Sequence, residues 1–198
     1  MKHLFAIMIM LSMLTPAMAQ SKNYVSLALY NTQTAMPFGK FAGLFGETFH
    51  PCIEAGMGKN FSSRQNHDWF TELKLGYFFH RFVQHAIPVS VNIGYRYKFN
   101  SRFFAQTSIG GGYLHSIPAT SKLKTDENGD YTNDKGLGRI QASVVYDITA
   151  GYELKRKTGR SLRLFLSYQQ RLQMPFVRSY VPLLPYNSFG IGISKPIR

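Results

Sequence analysis

Residues 86–99 read Ala-Ile-Pro-Val-Ser-Val-Asn-Ile-Gly-Tyr-Arg-Tyr-Lys-Phe. From Ile87 to Phe99 every second residue is Ile, Val, Tyr or Phe, and the residues between them are proline, small, polar or basic. Because successive side chains of a strand point to opposite faces, one face of this segment suits lipid and the other suits a polar interior. A helix would need a period of 3.6, so the stretch predicts a strand that crosses a membrane.

The same alternation recurs along the chain and predicts eight strands. Backbone groups in hydrocarbon must find partners within the protein, so such a sheet has to close on itself. We therefore predict an all-β fold, an antiparallel, eight-stranded, up-and-down transmembrane β-barrel of the outer membrane. The predicted strands are Asn23–Tyr30, Cys52–Phe61, Asp68–His80, Ala86–Phe99, Arg102–His115, Arg139–Leu154, Ser161–Leu172 and Asn187–Lys195.

The predicted connections alternate in length as such a barrel requires. Three are short, three are long, and one at residues 81–85 is compact. Outer-membrane barrels pair short periplasmic turns with longer extracellular loops, so we place the chain ends in the periplasm. The short connections are residues 62–67, 100–101 and 156–160, and the long ones are residues 31–51, 116–138 and 173–186.

The first 19 residues have the features of an export signal. Lys2 precedes an apolar run that ends at Leu14, and Ala17-Met18-Ala19 is typical of a cleavage site. We predict a signal peptide over residues 1–19 and one barrel domain over residues 20–198. Loss of Lys2 lowers the formal net charge from +13 to +12. Export argues against nucleic acid as the partner of this charge, and an anionic lipopolysaccharide surface is the expected counterpart.

Charged residues of both signs fall on the predicted inner face. An unpaired charge in a narrow, poorly hydrated interior is costly, so we expect these groups to pair. Eight strands enclose a space that side chains can fill. The prediction is a plug of ion pairs instead of an open pore. The predicted lumen network consists of Glu54, Glu72, Lys74, Arg96, Asp147, Glu153, Arg163 and Arg171.

The fourth outer loop is unusually apolar for an exposed connection. Three prolines, Pro175, Pro182 and Pro185, lower the entropy cost of holding one shape. Its apolar side chains either form a lid over the barrel mouth or dock another membrane component. The residues predicted for this role are Phe176, Tyr180, Val181, Leu183, Leu184 and Tyr186.

Four histidines fall at the predicted extracellular rim, namely His50, His80, His85 and His115. Imidazole is the commonest metal ligand in proteins, so a metal site at the mouth is one interpretation. The parity of the strands, however, turns two of these residues inward and two outward, which favours polar rim residues. We predict neither a metal nor a cofactor.

A lipid-modifying hydrolase is a second interpretation, because His115 stands beside Ser116 at a strand end. Some outer-membrane barrels that deacylate lipopolysaccharide use a histidine and a serine. Adjacent strand residues point to opposite faces, so these two side chains are poorly placed for the hydrogen bond that acyl transfer needs. We assign no catalytic residue.

The Gly-Gly-Gly-Tyr-Leu-His sequence at 110–115, together with residues 173–187, resembles uncharacterised Bacteroidota-type outer-membrane barrels. The mature chain as a whole resembles the small eight-stranded barrels that include the membrane domain of the outer membrane protein A group. The chain departs from that pattern at its end, Lys195-Pro196-Ile197-Arg198, where an aromatic residue is usual. The Bacteroidota-type set supplies no established activity to transfer. From the barrel and its loops we predict a monomeric structural or interaction protein of the outer membrane, with outer-membrane lipid, lipopolysaccharide and another outer-membrane protein as its partners. A lipid hydrolase and a narrow channel or metal-binding receptor are the alternatives.

Overall fold

The structure is a computed structural model. It describes residues 23–36, 39, 48–120, 123–126, 129–133, 136–155, 161–177 and 180–197, so the predicted signal peptide lies outside the described residues. The described residues form ten strands. They are β1 (Asn23–Thr34), β2 (Pro51–Ser63), β3 (His67–His80), β4 (Gln84–Lys98), β5 (Phe103–Pro118), β6 (Leu123–Thr125), β7 (Tyr131–Asn133), β8 (Arg139–Lys155), β9 (Ser161–Met174) and β10 (Leu184–Ile197).

Eight of these strands close into a barrel in the order β1-β10-β9-β8-β5-β4-β3-β2. Every neighbouring pair is antiparallel, and β1 pairs with β2 on one side and with β10 on the other. Closure leaves the barrel sheet without a free edge. The predicted fold class is confirmed.

Several strands continue beyond their predicted outer ends. β1 runs to Thr34 instead of Tyr30, and it stays paired with β10 up to the Thr34 and Tyr186 partners. Alternation of apolar residues marks the part of a strand that lies in hydrocarbon, whereas the backbone ladder needs no such pattern above it. The short β6–β7 hairpin is likewise invisible to the alternation, because each of its strands has three residues.

The two faces of the barrel have opposite chemistry. Val91 is 59% exposed while its neighbour Asn92 is fully buried, and Leu73 and Val144 also lie on the outer surface. An apolar exterior around a polar interior is the reverse of a soluble β-sandwich and suits an outer membrane. Among the described residues, no helix is long and apolar enough to cross a membrane.

Aromatic residues cluster toward both ends of this exterior. At the barrel end that holds Asn23 and Ile197, here called the periplasmic end after the predicted orientation, the Trp69 and Tyr95 rings lie 5.1 Å apart, and the Phe103 and Tyr152 rings lie 4.9 Å apart. Near the outer end, Tyr113 is half exposed on the same lipid-facing side. Such rings have an apolar body and, in Tyr and Trp, a polar tip, so they fit the two interfaces of a bilayer.

Candidate functional site in the lumen and the outer loops

The eight lumen residues predicted from the sequence all lie on the inner face. The middle of the plug is formed by four of them, here called the ionic layer: Glu54, Lys74, Asp147 and Arg171. Lys74 Nζ lies 3.1 Å from Asp147 Oδ2 and 3.2 Å from Glu54 Oε1. Arg171 Nη2 lies 2.9 Å from Glu54 Oε2. Gln169 Nε2 donates to Asp147 Oδ1 at 3.0 Å and to Glu54 Oε1 at 3.2 Å, so it links the two carboxylates.

Asp147 has additional donors beyond the ionic layer. Asn92 Nδ2 donates to its Oδ2 at 3.2 Å, and Ser108 Oγ donates to the same oxygen at 3.3 Å. A buried carboxylate is tolerated when its lone pairs are satisfied and a cation is near. The side chains of Asp147 and its partners therefore form a polar network across the bore at this level, in which Asn92 Oδ1 is a buried acceptor without a hydrogen-bond partner among the described residues.

Glu72 departs from the expected pairing. Its Oε1 accepts a hydrogen bond from Ser26 Oγ at 2.6 Å, and no cation of the described chain comes within ion-pair distance. Lys74, two residues along the same strand face, turns toward Glu54 and Asp147 instead. A cavity of about 30 Å³, roughly the space of one water molecule, adjoins Glu72 and Lys74.

Arg96 lies below the ionic layer in an aromatic cage that sequence reasoning missed. Its guanidinium carbon lies 5.3 Å from the ring centre of Tyr24, 5.0 Å from that of Phe70 and 5.6 Å from that of Phe104. Its Nε donates to Gln106 Oε1 at 2.9 Å. All three rings occupy inward parity positions, and that signal in the sequence could have identified the cage.

The periplasmic mouth of the barrel contains a larger polar cavity of about 460 Å³, here called the vestibule. Lys98 Nζ lies 2.7 Å from Asp68 Oδ1, and Arg163 Nε lies 3.1 Å from Glu153 Oε2. These four side chains line the vestibule, and Arg96, 3.6 Å from Asp68, stands above it. The predicted charges thus divide into a central group and a periplasmic group.

The outer part of the lumen is closed by uncharged side chains, here called the amide layer. Gln84 and Gln173 exchange hydrogen bonds through both amide groups, and Gln173 also donates to Gln141. Gln84 Nε2 donates to the Tyr186 hydroxyl at 2.9 Å, and Ser116 Oγ donates to Gln84 Oε1. These three glutamines were not predicted as lumen residues, although their inward parity near the outer strand ends marks them.

The four rim histidines divide as their parity predicts. His50 and His80 are buried and stacked face to face, with ring centres 3.8 Å apart. His85 and His115 face outward, and each shares a hydrogen bond with a tyrosine hydroxyl, at 2.8 and 3.0 Å. In the part of the chain that the structure describes, no three His, Cys, Asp or Glu residues are grouped to hold a metal ion.

His115 and Ser116 do not form a nucleophile and base pair. Ser116 is buried in the lumen against Gln84, whereas His115 Nε2 lies 2.8 Å from the carbonyl oxygen of Leu137 on the outside. The two side chains lie on opposite sides of the sheet, as adjacent strand residues must.

The fourth outer loop is held in place from below. Gln141 Nε2 donates to the carbonyl oxygens of Pro175 and Phe176. Val177 N donates to the carbonyl oxygen of Val181 at 2.7 Å, which closes a tight turn. The Arg139 guanidinium carbon lies 5.4 Å from the ring centre of Phe176.

The six residues predicted for this loop do not act as one surface. Leu184 and Tyr186 belong to β10, and Tyr186 is 1% exposed within the lumen, so assigning them to the loop was wrong. The backbone ladder of β10 begins earlier than the apolar alternation indicates. Tyr180, Val181 and Leu183 are exposed, and these three residues are here called the tip.

The chain is similar to known proteins in its fold. No known protein-family profile matches the chain, and no curated protein matches its sequence. The solved structure of Neisserial surface protein A (NspA) is similar over 89% of this chain and 97% of that chain, with a TM-score of 0.50 and 9% identity. The attachment invasion locus protein Ail of Yersinia pestis, solved with the heparin analogue sucrose octasulfate, has a TM-score of 0.43 and 9% identity, and the match covers 89% of this chain and 97% of that chain. The outer membrane enzyme PagL has a TM-score of 0.45 and 14% identity, and the match covers 88% of this chain and 99% of that chain. The chain therefore has the fold of the small eight-stranded outer-membrane barrels.

Proposed function

We propose that this protein is a structural or interaction protein of the outer membrane, a closed barrel whose outer loops dock a partner. The partner is another outer-membrane protein or envelope component that meets the extracellular face. Outer-membrane lipid contacts the apolar exterior, and lipopolysaccharide surrounds the outer rim.

The filled lumen supports a role on the surface instead of transport. The ionic layer and the amide layer occupy successive levels of the bore, and every strand of the barrel is paired with two neighbours. A sheet without a free edge has no backbone site for pairing with a second copy, which favours a monomeric barrel. Recognition then depends on side chains of the loops.

The observation that carries the proposal is the tip, an exposed apolar group above a hydrogen-bonded support. Tyr180 is 87% exposed, Leu183 48% and Val181 41%. The mouth beneath is already closed by Tyr186 and the amide layer, so the tip is not required as a lid. Exposed apolar and aromatic side chains held in one conformation are typical of interaction surfaces, because little entropy is lost on binding.

A photo-crosslinking residue at position 180 tests the proposal in intact outer membranes. We expect Tyr180 replaced in this way to give one defined adduct of constant mass. The matched control is the same residue at Phe82, which is 65% exposed in the turn between β3 and β4, on the opposite side of the barrel from β9 and β10. Monomer alone at position 180, or the same set of adducts from both positions, would contradict a docking role for the tip.

A further inference from the structure

The lumen is electrically balanced, so the positive excess of the chain lies elsewhere. Five carboxylates and five cations face the interior or the vestibule. They are Glu54, Asp68, Glu72, Asp147 and Glu153, with Lys74, Arg96, Lys98, Arg163 and Arg171. The remaining charged residues therefore decide which surfaces are basic.

These remaining charges differ sharply between the two ends of the barrel. All five other carboxylates of the sequence, Glu47, Asp126, Glu127, Asp130 and Asp134, lie in the first and third outer connections. The periplasmic strand ends and turns contain no acidic residue apart from the two that line the vestibule. The expectation that the basic excess meets extracellular lipopolysaccharide therefore fits this distribution poorly.

Four exposed cations of the described chain form a periplasmic collar, defined as Lys59, Arg64, Arg102 and Lys195. Arg64 directly follows the last residue of β2, and Arg102 directly precedes the first residue of β5.

Two collar lysines face the lipid side of the sheet. Lys59 on β2 pairs with Asn23, and Lys195 on β10 pairs with Val25, so the two lysines flank β1. Two strand spacings across the sheet and two residues along it separate them, roughly 12 Å. Exposed apolar residues, among them Met57 and Ile193, adjoin them on the same face. The ion pairs of the described chain lie in the lumen and vestibule, and neither Lys59 nor Lys195 forms an ion pair with a described carboxylate.

We propose that the periplasmic collar binds the anionic phosphodiester headgroups of phospholipids in the inner leaflet of the outer membrane. A lysine on a lipid-facing strand end keeps its stem along apolar surface and extends its ammonium group into the headgroup layer. Basic residues close to such a surface attract anionic lipid with an effect of about fivefold in affinity for each charge. This inference is independent of the partner of the tip.

Native mass spectrometry of the detergent-purified barrel tests the proposal. The barrel is titrated with phosphatidylglycerol or with phosphatidylethanolamine of identical acyl chains. We expect wild type to retain phosphatidylglycerol at lower concentration, and added salt to weaken this retention. The double variant Lys59→Gln/Lys195→Gln should lose about fivefold in affinity for each lysine removed.

The matched control is Arg81→Gln/Lys124→Gln, which removes the same charge at the outer end. It should retain phosphatidylglycerol like wild type, and heat-modifiable gel mobility verifies that both variants fold. Equal retention of the two lipids by wild type would overturn the proposal, as would equal loss in the two double variants. If the collar variant does not fold, the wild-type lipid preference and its salt dependence decide the matter.

Discussion

The ionic layer and the amide layer both close the lumen, but they do so with different chemistry. In the ionic layer, Lys74 and Arg171 neutralise Glu54 and Asp147 over distances of 2.9 to 3.2 Å. In the amide layer, uncharged glutamines exchange hydrogen bonds through both donor and acceptor groups. The first layer depends on charge balance, and the second depends on satisfied hydrogen bonds.

This difference determines what a single substitution leaves behind. Removal of one ion partner leaves a buried charge without compensation, which costs more than the pair contributed. Removal of one amide leaves a neutral donor or acceptor unsatisfied, and that penalty is smaller. The two layers should therefore differ in their sensitivity although both are buried.

Lys74→Met should have the largest effect, because it leaves Glu54 and Asp147 facing each other without their shared cation. We expect the free energy of unfolding to fall by roughly 3–5 kcal/mol. Urea unfolding in lipid vesicles, followed by the fluorescence of Trp69, the single tryptophan, measures it. Arg81→Met, in the exposed turn between β3 and β4, is the control and should change stability by less than about 0.5 kcal/mol. Equal unfolding midpoints for the two variants would contradict the claim that the ion pairs of Lys74 stabilise the barrel.

Gln173→Leu should have an intermediate effect, since it leaves Gln141 Oε1 without its donor and removes two hydrogen bonds of the Gln84 amide. The expected loss is roughly 1–3 kcal/mol in the same unfolding measurement. Gln65→Leu, at an exposed position in the turn between β2 and β3, is the matched control and should be nearly neutral. If Gln173→Leu destabilises as much as Lys74→Met, the contrast between the two layers is wrong.

Glu72→Gln should have the smallest effect, because Glu72 has no ion pair with a described residue and a glutamine oxygen can still accept from Ser26. The expected change is below about 1 kcal/mol. Glu54→Gln, which leaves Lys74 and Arg171 partly uncompensated, should cost several times more. Similar unfolding midpoints for these two variants would show that Glu72 belongs to the ionic layer after all.

Most of the fold could be predicted because a membrane barrel repeats one simple rule. The period-2 pattern of residues such as Val91 and Asn92 fixes which face is buried, and closure follows from the need to pair backbone groups in lipid. The ends of the strands could not be predicted as well. Above the membrane the pairing of Thr34 with Tyr186 depends on the backbone alone.

The site was predictable in position but not in partnership. Parity placed Glu72 and Arg96 inside, yet it could not tell that one bonds to a serine and the other to three aromatic rings. Partners in a barrel come from strands far apart in sequence, as Glu54 and Arg171 illustrate. The likeness to Bacteroidota-type barrels stays a prediction.

The seam between β1 and β10 joins residues from the two extremes of the described chain, with Asn23 opposite Ile197. The backbone groups on one edge of β1 pair with β2, but those on its other edge stay unpaired until β10 is in place. Throughout its passage across the periplasm the chain has an exposed edge that could pair with another chain. Deletion of either terminal strand would leave one edge of the barrel sheet open permanently.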